Sequence, residues 1–337
     1  MEIVFVHFGS KFPKHLILNL TRMCDLFPSD LVVLITDVNE NLGISKKNFR
    51  KSYFTLDVDY QLLSENLNHP KDFRNNFWFT SLARIYALCD YVVSNNVSIL
   101  HIESDVLVAG DLPMNRFSIC DRPIAFTVVG ERSGVASVMW IKNARAAIHL
   151  KKYAAKSAQR DPMTTDMKIL GQYQEEFPQM VRALASFPTE NVGSYRALSP
   201  QIAADFEYTE NLFEGFFDAA DVGQYLLGDD PRNHRGIKLL RKQLETSYLK
   251  PREVKFVYSE TRSFLNIDSG SRSRFYSLHI HSKDPAVFKK DRIQDVLLKA
   301  IRNQDKPKKR ILVFSVLIQS IRISILRRMN ALIAGQK

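Results

Sequence analysis

The stretch His101-Ile-Glu-Ser-Asp-Val-Leu-Val108 decides how this chain is read. The apolar run Val97-Ser-Ile-Leu100 leads into it. Two carboxylates then stand at i and i+2, Glu103 and Asp105, and Val106-Leu-Val108 resumes the apolar pattern at once. Carboxylates are rarely buried without a partner, because taking a charge out of water is costly. A pair at the end of a buried strand therefore needs a cation, a basic side chain or water. The E-x-D spacing alone is common, so its surroundings decide between a solvated strand end and a cation site.

Upstream, Glu2-Ile-Val-Phe-Val-His7 reads as a strand. Pro13 opens a helical pattern with Leu16, Leu20, Met23 and Leu26 on one stripe, and Pro28-Ser-Asp30 ends it. Leu31-Val-Val-Leu-Ile-Thr36 is a continuous apolar run, as in a strand buried on both faces, and it stops at Asp37. Residues 39–75 read as irregular apart from a short helix near 59–66. Residues 76–93 form a strong helical pattern that carries Phe77, Ser81, Arg84 and Leu88 on one side. Downstream, strands are expected at 124–129 and 135–141, joined by a short loop, and a helix at 144–158. The segment 190–275 reads as loops and short elements covering the sheet.

Strands alternating with helices predict an α/β fold with a mostly parallel central sheet flanked by helices. In such sheets ligands sit outside the carboxyl ends of the strands. Asp37 and the Glu103/Asp105 pair both fall at such ends.

The net charge of +11 over 337 residues is unevenly placed. Residues 301–337 hold nine Lys/Arg against one acid, a net of +8, which leaves +3 for the remainder. A nearly neutral body argues against nucleic acid as a partner. The chain divides into a body, 1–300, and a basic tail, 301–337. Beyond Lys306-Pro-Lys-Lys-Arg310, the residues Ile318, Ile321, Ile325, Met329 and Leu332 fall on one helical stripe. This pattern predicts a C-terminal basic amphipathic helix on an anionic membrane surface through 306–337, the alternative being a helix packed on protein. Cys24, Cys89 and Cys120 are widely spaced, without C-x-x-C, as in a reducing compartment. The opening strand follows no basic, apolar leader. The expected location is cytoplasmic, peripheral on the inner face of the membrane.

Taken in order, several segments resemble one family. They are Ile3-Val-Phe-Val-His7, Leu34-Ile-Thr-Asp37, Phe77-Trp-Phe-Thr80 with Arg84, His101-Ile-Glu-Ser-Asp105, Ser133-Gly-Val-Ala-Ser-Val-Met139, Thr165-Asp166 and Leu278-His-Ile-His-Ser-Lys283. Together they resemble the nucleotide-sugar-dependent glycosyltransferases of the GT-A (Rossmann-like) fold, in particular bacterial ones built around a D-x-D-type strand end. The resemblance runs over about residues 2 to 285. It departs from the family at Glu103, where Asp is common.

The resemblance implies a metal-dependent transfer of a sugar from a nucleotide diphosphate donor to a glycan or lipid-linked glycan acceptor, in surface polysaccharide or lipopolysaccharide synthesis. Mn²⁺ or Mg²⁺ would stabilise the charge that grows on the leaving diphosphate. Glu103, Asp105 and His281 are the expected metal ligands. His279 and His281 alternate along an apparent strand, so one of them faces the site, and His279 is read as a core histidine. Lys283 would lie near phosphate. His7, Asp37, Arg84, Glu103, Gly134 and Ser137 would meet the nucleotide sugar, with Arg84 contacting the nucleotide or bracing the carboxylates. Asp166 is either a helix cap or a carboxylate that holds sugar hydroxyls or takes the acceptor proton. Asp218 and Gln224, in the Gly- and Asp-rich stretch 216–233, are further catalytic candidates. Trp78 reads as packing. A rival class is a non-catalytic, membrane-associated relative acting as a scaffold or glycan-binding subunit, with Glu103 as its hint.

Overall fold

The computed structural model describes residues 1–54, 58–70, 73, 76–188, 198–234, 248–259, 264–268 and 274–303. The basic tail, with its expected amphipathic helix, lies outside the described residues. Among those described, no helix is long and apolar enough to cross a membrane.

The first half follows the predicted alternation. The elements are β1 (Glu2–His7), α1 (Lys14–Leu26), β2 (Leu31–Thr36), β3 (Phe49–Tyr53), α2 (Val58–Asn66), α3 (Phe77–Asn95) and β4 (Ile99–Ile102). Then come β5 (Val106–Val108), α4 (Met114–Ser118), β6 (Ile124–Gly130), β7 (Ser133–Ile141), α5 (Ala144–Arg160), α6 (Asp166–Glu176) and β8 (Val181–Leu184). The region read as loops holds α7 (Pro200–Phe213), β9 (Phe216–Phe217), α8 (Asp221–Leu227), β10 (Phe256–Ser259) and β11 (Phe264–Ile267). The described chain closes with β12 (Phe275–His279) and α9 (Ile293–Arg302).

The central sheet has the order β3-β2-β1-β4-β7-β6-β8. Its pairs are parallel except β4 with β7 and β6 with β7. This is the mostly parallel α/β sheet that the alternation predicts. From β1 the chain runs to β2 and β3 on one side, and from β4 outward on the other. The switch point lies between the carboxyl ends of β1 and β4, where open α/β sheets bind ligands. Right-handed crossovers in opposite directions place α1 and α3 on opposite faces of the sheet.

A second, three-stranded sheet has the order β5-β12-β9. Its register sets His279 opposite Val106, and Ile280 N donates to Asp105 O at 2.7 Å. The end of β12 is thereby fixed beside the carboxylate turn.

Glycines permit two close approaches. At Gly171 in α6, a Cβ would stand 2.0 Å from the Arg132 carbonyl carbon. At Gly134 in β7, it would stand 2.6 Å from Leu170 Cβ. Gly134 therefore lets α6 lie against the β6–β7 hairpin, which is a packing reason for that residue. We expect Gly171→Ala to lower stability by about 1–3 kcal/mol or more through overpacking against backbone. The urea midpoint reports it, and Ile148→Ala on the exposed face of α5 is expected to stay within about 0.5 kcal/mol.

Candidate metal and sugar-transfer site

The carboxylate turn is held from three sides. Glu103 N donates to Ser137 O at 3.0 Å, and Val106 N donates to Glu103 O at 3.0 Å. From α1, Asn19 Nδ2 donates to Ser104 O at 3.2 Å and to Val106 O at 2.8 Å. His15, one turn earlier, brings Nε2 within 3.4 Å of Ser104 Oγ. Burial pulls the His15 pKa down to about 4 against the pull of Asp105, so it is neutral at pH 7. Neither residue was among the expected site residues. The signal that marks them is two polar side chains at i and i+4 beside the buried Leu16 and Leu20 of α1.

Glu103, Asp105 and His279 place their ligand atoms within 4.8 Å of one another, and all three are buried. His279 Nε2 lies 3.2 Å from a Glu103 oxygen and 3.6 Å from an Asp105 oxygen. Its Nδ1 is 2.7 Å from Ala219 O, to which it donates. That bond fixes the ring and leaves Nε2 as the nitrogen facing the carboxylates, as is common where a histidine holds a metal and its other nitrogen donates to a carbonyl. Two carboxylates and one imidazole match the donor preferences of Mn²⁺.

His279, and not His281, is thus the histidine at the carboxylates. The expected alternation fails because β12 ends at His279. His281 N folds back to donate to His279 O at 3.1 Å, and the two rings stack with centroids 4.1 Å apart. His281 Nε2 is buried without a hydrogen-bond partner among the described residues, and burial drives its pKa to about 3.

Cations surround the pair. Arg84, on α3, donates through Nη1 to Glu103 and through Nη2 to Asp166 at 3.0 Å. It therefore braces the carboxylates. Lys283 Nζ lies 2.8 Å from the second Asp105 oxygen, its backbone in the left-handed region with φ 51°. Burial by itself would raise the pKa values of Glu103 and Asp105. Arg84 and His279 overcome this at Glu103, and Lys283 and His279 hold Asp105 well below the carboxylate range. At Asp166 burial wins, aided by the Glu103 charge, and its pKa is raised despite Arg84. Burial alone would lower His279, but Asp105 and Glu103 raise it to about 9.

The remaining expected residues divide by position. Thr165, rather than Asp166, caps α6 by accepting from Lys168 N, so the Asp166 carboxylate is directed to Arg84. Asp218 is 1% exposed, and its oxygens accept from Val222 N, Gly223 N and His279 N at 3.0, 2.7 and 3.0 Å. It ties the start of α8 to β12 and so holds His279. Gly223 makes this possible, since a Cβ there would meet His279 O at 2.1 Å. Gln224, the next residue on α8, is buried. Ser137 is fully buried beneath the site, its hydroxyl shared with Thr127 Oγ1 at 2.8 Å and Asp218 O at 3.3 Å. His7 ends β1 and Asp37 follows β2, where Asp37 Oδ1 accepts from Gly9 N at 3.2 Å. An open cleft of about 650 Å³, lined by Gly9, Ser10 and Asp37 to Glu40, lies at these strand ends.

No protein-family model matches the chain, and no curated protein matches it. Among solved structures it is similar to the galactosyltransferase LgtC in complex with donor and acceptor sugar analogues, at 15% identity, over 61% of this chain and 82% of that one, with a TM-score of 0.42. It is also similar to mouse xyloside xylosyltransferase 1 in its apo form, at 10% identity, over 55% and 84%, with a TM-score of 0.38. The PaToxG glycosyltransferase aligns at 12% identity, over 52% and 68%, with a TM-score of 0.33. At such scores the functional reading rests on this chain's own residues.

The raised pKa of His279 makes a stability prediction. Its folded value of about 9 exceeds the unfolded 6.5, so its contribution is complete below about pH 6.5 and is lost as pH rises through 9. The urea midpoint of the metal-free protein is expected to fall between pH 6.5 and 9. His279→Gln should flatten that slope, and an unchanged slope in the variant would contradict the assignment.

Proposed function

We propose that this chain is a metal-dependent glycosyltransferase. It moves a sugar from a nucleotide diphosphate donor onto a glycan or lipid-linked glycan acceptor, in the assembly of a surface polysaccharide or lipopolysaccharide. The observation that carries this reading is the convergence of Glu103, Asp105 and His279 at the carboxyl end of β4, flanked by Arg84 and Lys283. Paired carboxylates with an imidazole suit Mn²⁺ or Mg²⁺, and the two neighbouring cations suit a diphosphate.

Glu103, Asp105 and His279 would hold the ion. Bound there, the metal supplies Lewis-acid stabilisation of the leaving diphosphate. Asp105 now shares its charge with Lys283. Once the carboxylate is neutralised, the ammonium is free to meet a phosphate oxygen. His7 and Asp37 stand at the strand ends on the other side of the switch point, beside the open cleft, and suit the nucleoside half of the donor. Gly134 and Ser137 serve the donor sugar indirectly, by fixing α6 and the turn at Glu103. Asp166, with its raised pKa, suits a carboxylate that holds an acceptor hydroxyl or takes its proton. Gln224 is the remaining candidate to touch sugar. The tail 306–337, with its strong positive charge, would bring the body to an anionic membrane surface on the cytoplasmic side.

The test is a thermal-shift screen of nucleoside diphosphates with and without Mn²⁺. A ligand at about 100 times its Kd adds about 2.7 kcal/mol to the folded state and raises Tm by a few degrees. We expect a shift that needs both nucleotide and Mn²⁺ and is lost in Asp105→Ala. No metal-dependent shift from any nucleotide would overturn the proposal. Mn²⁺-dependent hydrolysis of a nucleotide sugar, expected here, separates the enzyme from a non-catalytic glycan-binding relative.

A further inference from the structure

A group of aromatic side chains stands outside both hydrophobic cores of the described residues. Trp78 stacks on His69 with ring centroids 5.2 Å apart and planes 26° apart. Phe73 stacks on Trp78 at 5.7 Å and 12°, and Phe77 meets the Trp78 ring edge-on at 5.1 Å. Phe73 is 41% exposed, and Met163, in the adjoining loop, is 54% exposed. Aromatic rings ordinarily find a place in a core. Here Phe73 is left at the surface, and His69, Phe77 and Trp78 lie half-buried against it and one another.

Their position relative to the site is fixed. The C-terminal end of α3 leads directly into β4, so its N-terminal end projects past the carboxyl ends of the strands. Arg84 meets Glu103 just beyond the end of β4. Trp78 lies six residues nearer the helix start, about 9 Å farther out along the same axis. The rings are also tied to Asp166. His69 Nε2 donates to Thr164 O at 2.7 Å, and Asn68 N donates to Pro162 O at 2.8 Å. The loop that carries Asp166 thus holds the rings at the mouth of the site.

We infer that the Phe73–Trp78–His69 stack is a sugar-binding subsite for the acceptor. A pyranose ring has an apolar face of axial C–H groups and a rim of hydroxyls. It matches a flat aromatic surface, here the exposed ring of Phe73. Asp161 is paired with Lys168 and Asp166 with Arg84, so the charges near the rings are balanced, which suits a neutral ligand. The nucleoside side of the site lies at the ends of β1 and β2. The inference rests on the sugar-transfer reading for the identity of the ligand, and it places the sugar next to the acceptor at the outer end of α3.

Trp78 supplies its own reporter. The other tryptophan, Trp140, is buried and 1% exposed, so it serves as a silent reference. The experiment titrates the full chain, without metal or nucleotide, with lactose, cellobiose, maltose and N,N′-diacetylchitobiose, reading tryptophan emission. Because neither metal nor donor is present, failure of the metal-site reading leaves this test intact. A saturable change with at least one disaccharide is expected. Phe73→Ala should raise the half-saturating concentration about three- to tenfold, the worth of one aromatic contact. The exposure of Phe73 makes that variant fold-neutral, and far-UV circular dichroism checks it. No saturable change with any sugar, or an unchanged titration in Phe73→Ala, overturns the inference. So does a response confined to uridine, guanosine or anionic vesicles.

Discussion

A line of alternating charges runs Asp166, Arg84, Glu103, His279, Asp105, Lys283 through the centre of this molecule. Each member comes from a different place in the chain: α6, α3, the end of β4, β12, the turn before β5, and the segment after β12. Every charge but the last is buried or nearly so. Desolvation alone would be prohibitive, and the alternation is what makes the burial possible. Removing an inner member weakens the compensation of both its neighbours, and fully breaking a buried pair costs about 3–5 kcal/mol. Well-packed apolar residues of similar volume often match or exceed the stability of such a network, so stability alone is a weak reason for the line.

Support for the line comes from backbone, and it explains why residues with catalytic-looking chemistry do structural work here. Asp218 gathers three N–H groups and fixes both the start of α8 and the amide of His279. Ser137 fills the space under Glu103. Asn19 reaches across from α1 with both its amide hydrogens while its own Oδ1 finds no partner among the described residues. An orphaned buried oxygen costs about 1–3 kcal/mol. The fold tolerates that cost at the turn that carries both carboxylates, where placement matters most.

Much of this was legible in sequence, and the failures have physical reasons. The strands β1, β2 and β4 are short apolar runs, and α1 and α3 carry clean helical stripes, so the switch point and its carboxylates could be found. The edge strand β3 was not, because Phe49-Arg-Lys-Ser-Tyr53 is half exposed and polar. Helix α7 was hidden because Asp205, Thr209 and Glu210 interrupt its buried face. The expectation of His281 rested on its place just before Lys283, whereas β12 ends at His279, whose Nε2 faces both carboxylates. The pairing of His279 with Val106 joins distant parts of the chain, and no local pattern announces it.

Glu103, the departure from the D-x-D pattern, is explained by the same line of charges. One of its oxygens receives Arg84 and the other faces His279 at 3.2 Å. The two partners arrive from α3 on one side and β12 on the other. Aspartate, one methylene shorter, would hold its carboxylate farther from both partners at this backbone position. Asp105 has a nearer task, since His279 at the end of β12 and Lys283 just beyond it both approach it. The longer side chain at 103 thus reaches between two elements, and the shorter one at 105 meets partners close to hand. The glutamate is evidence of a brace built around Arg84, and its second oxygen remains directed at the same point as Asp105 and His279.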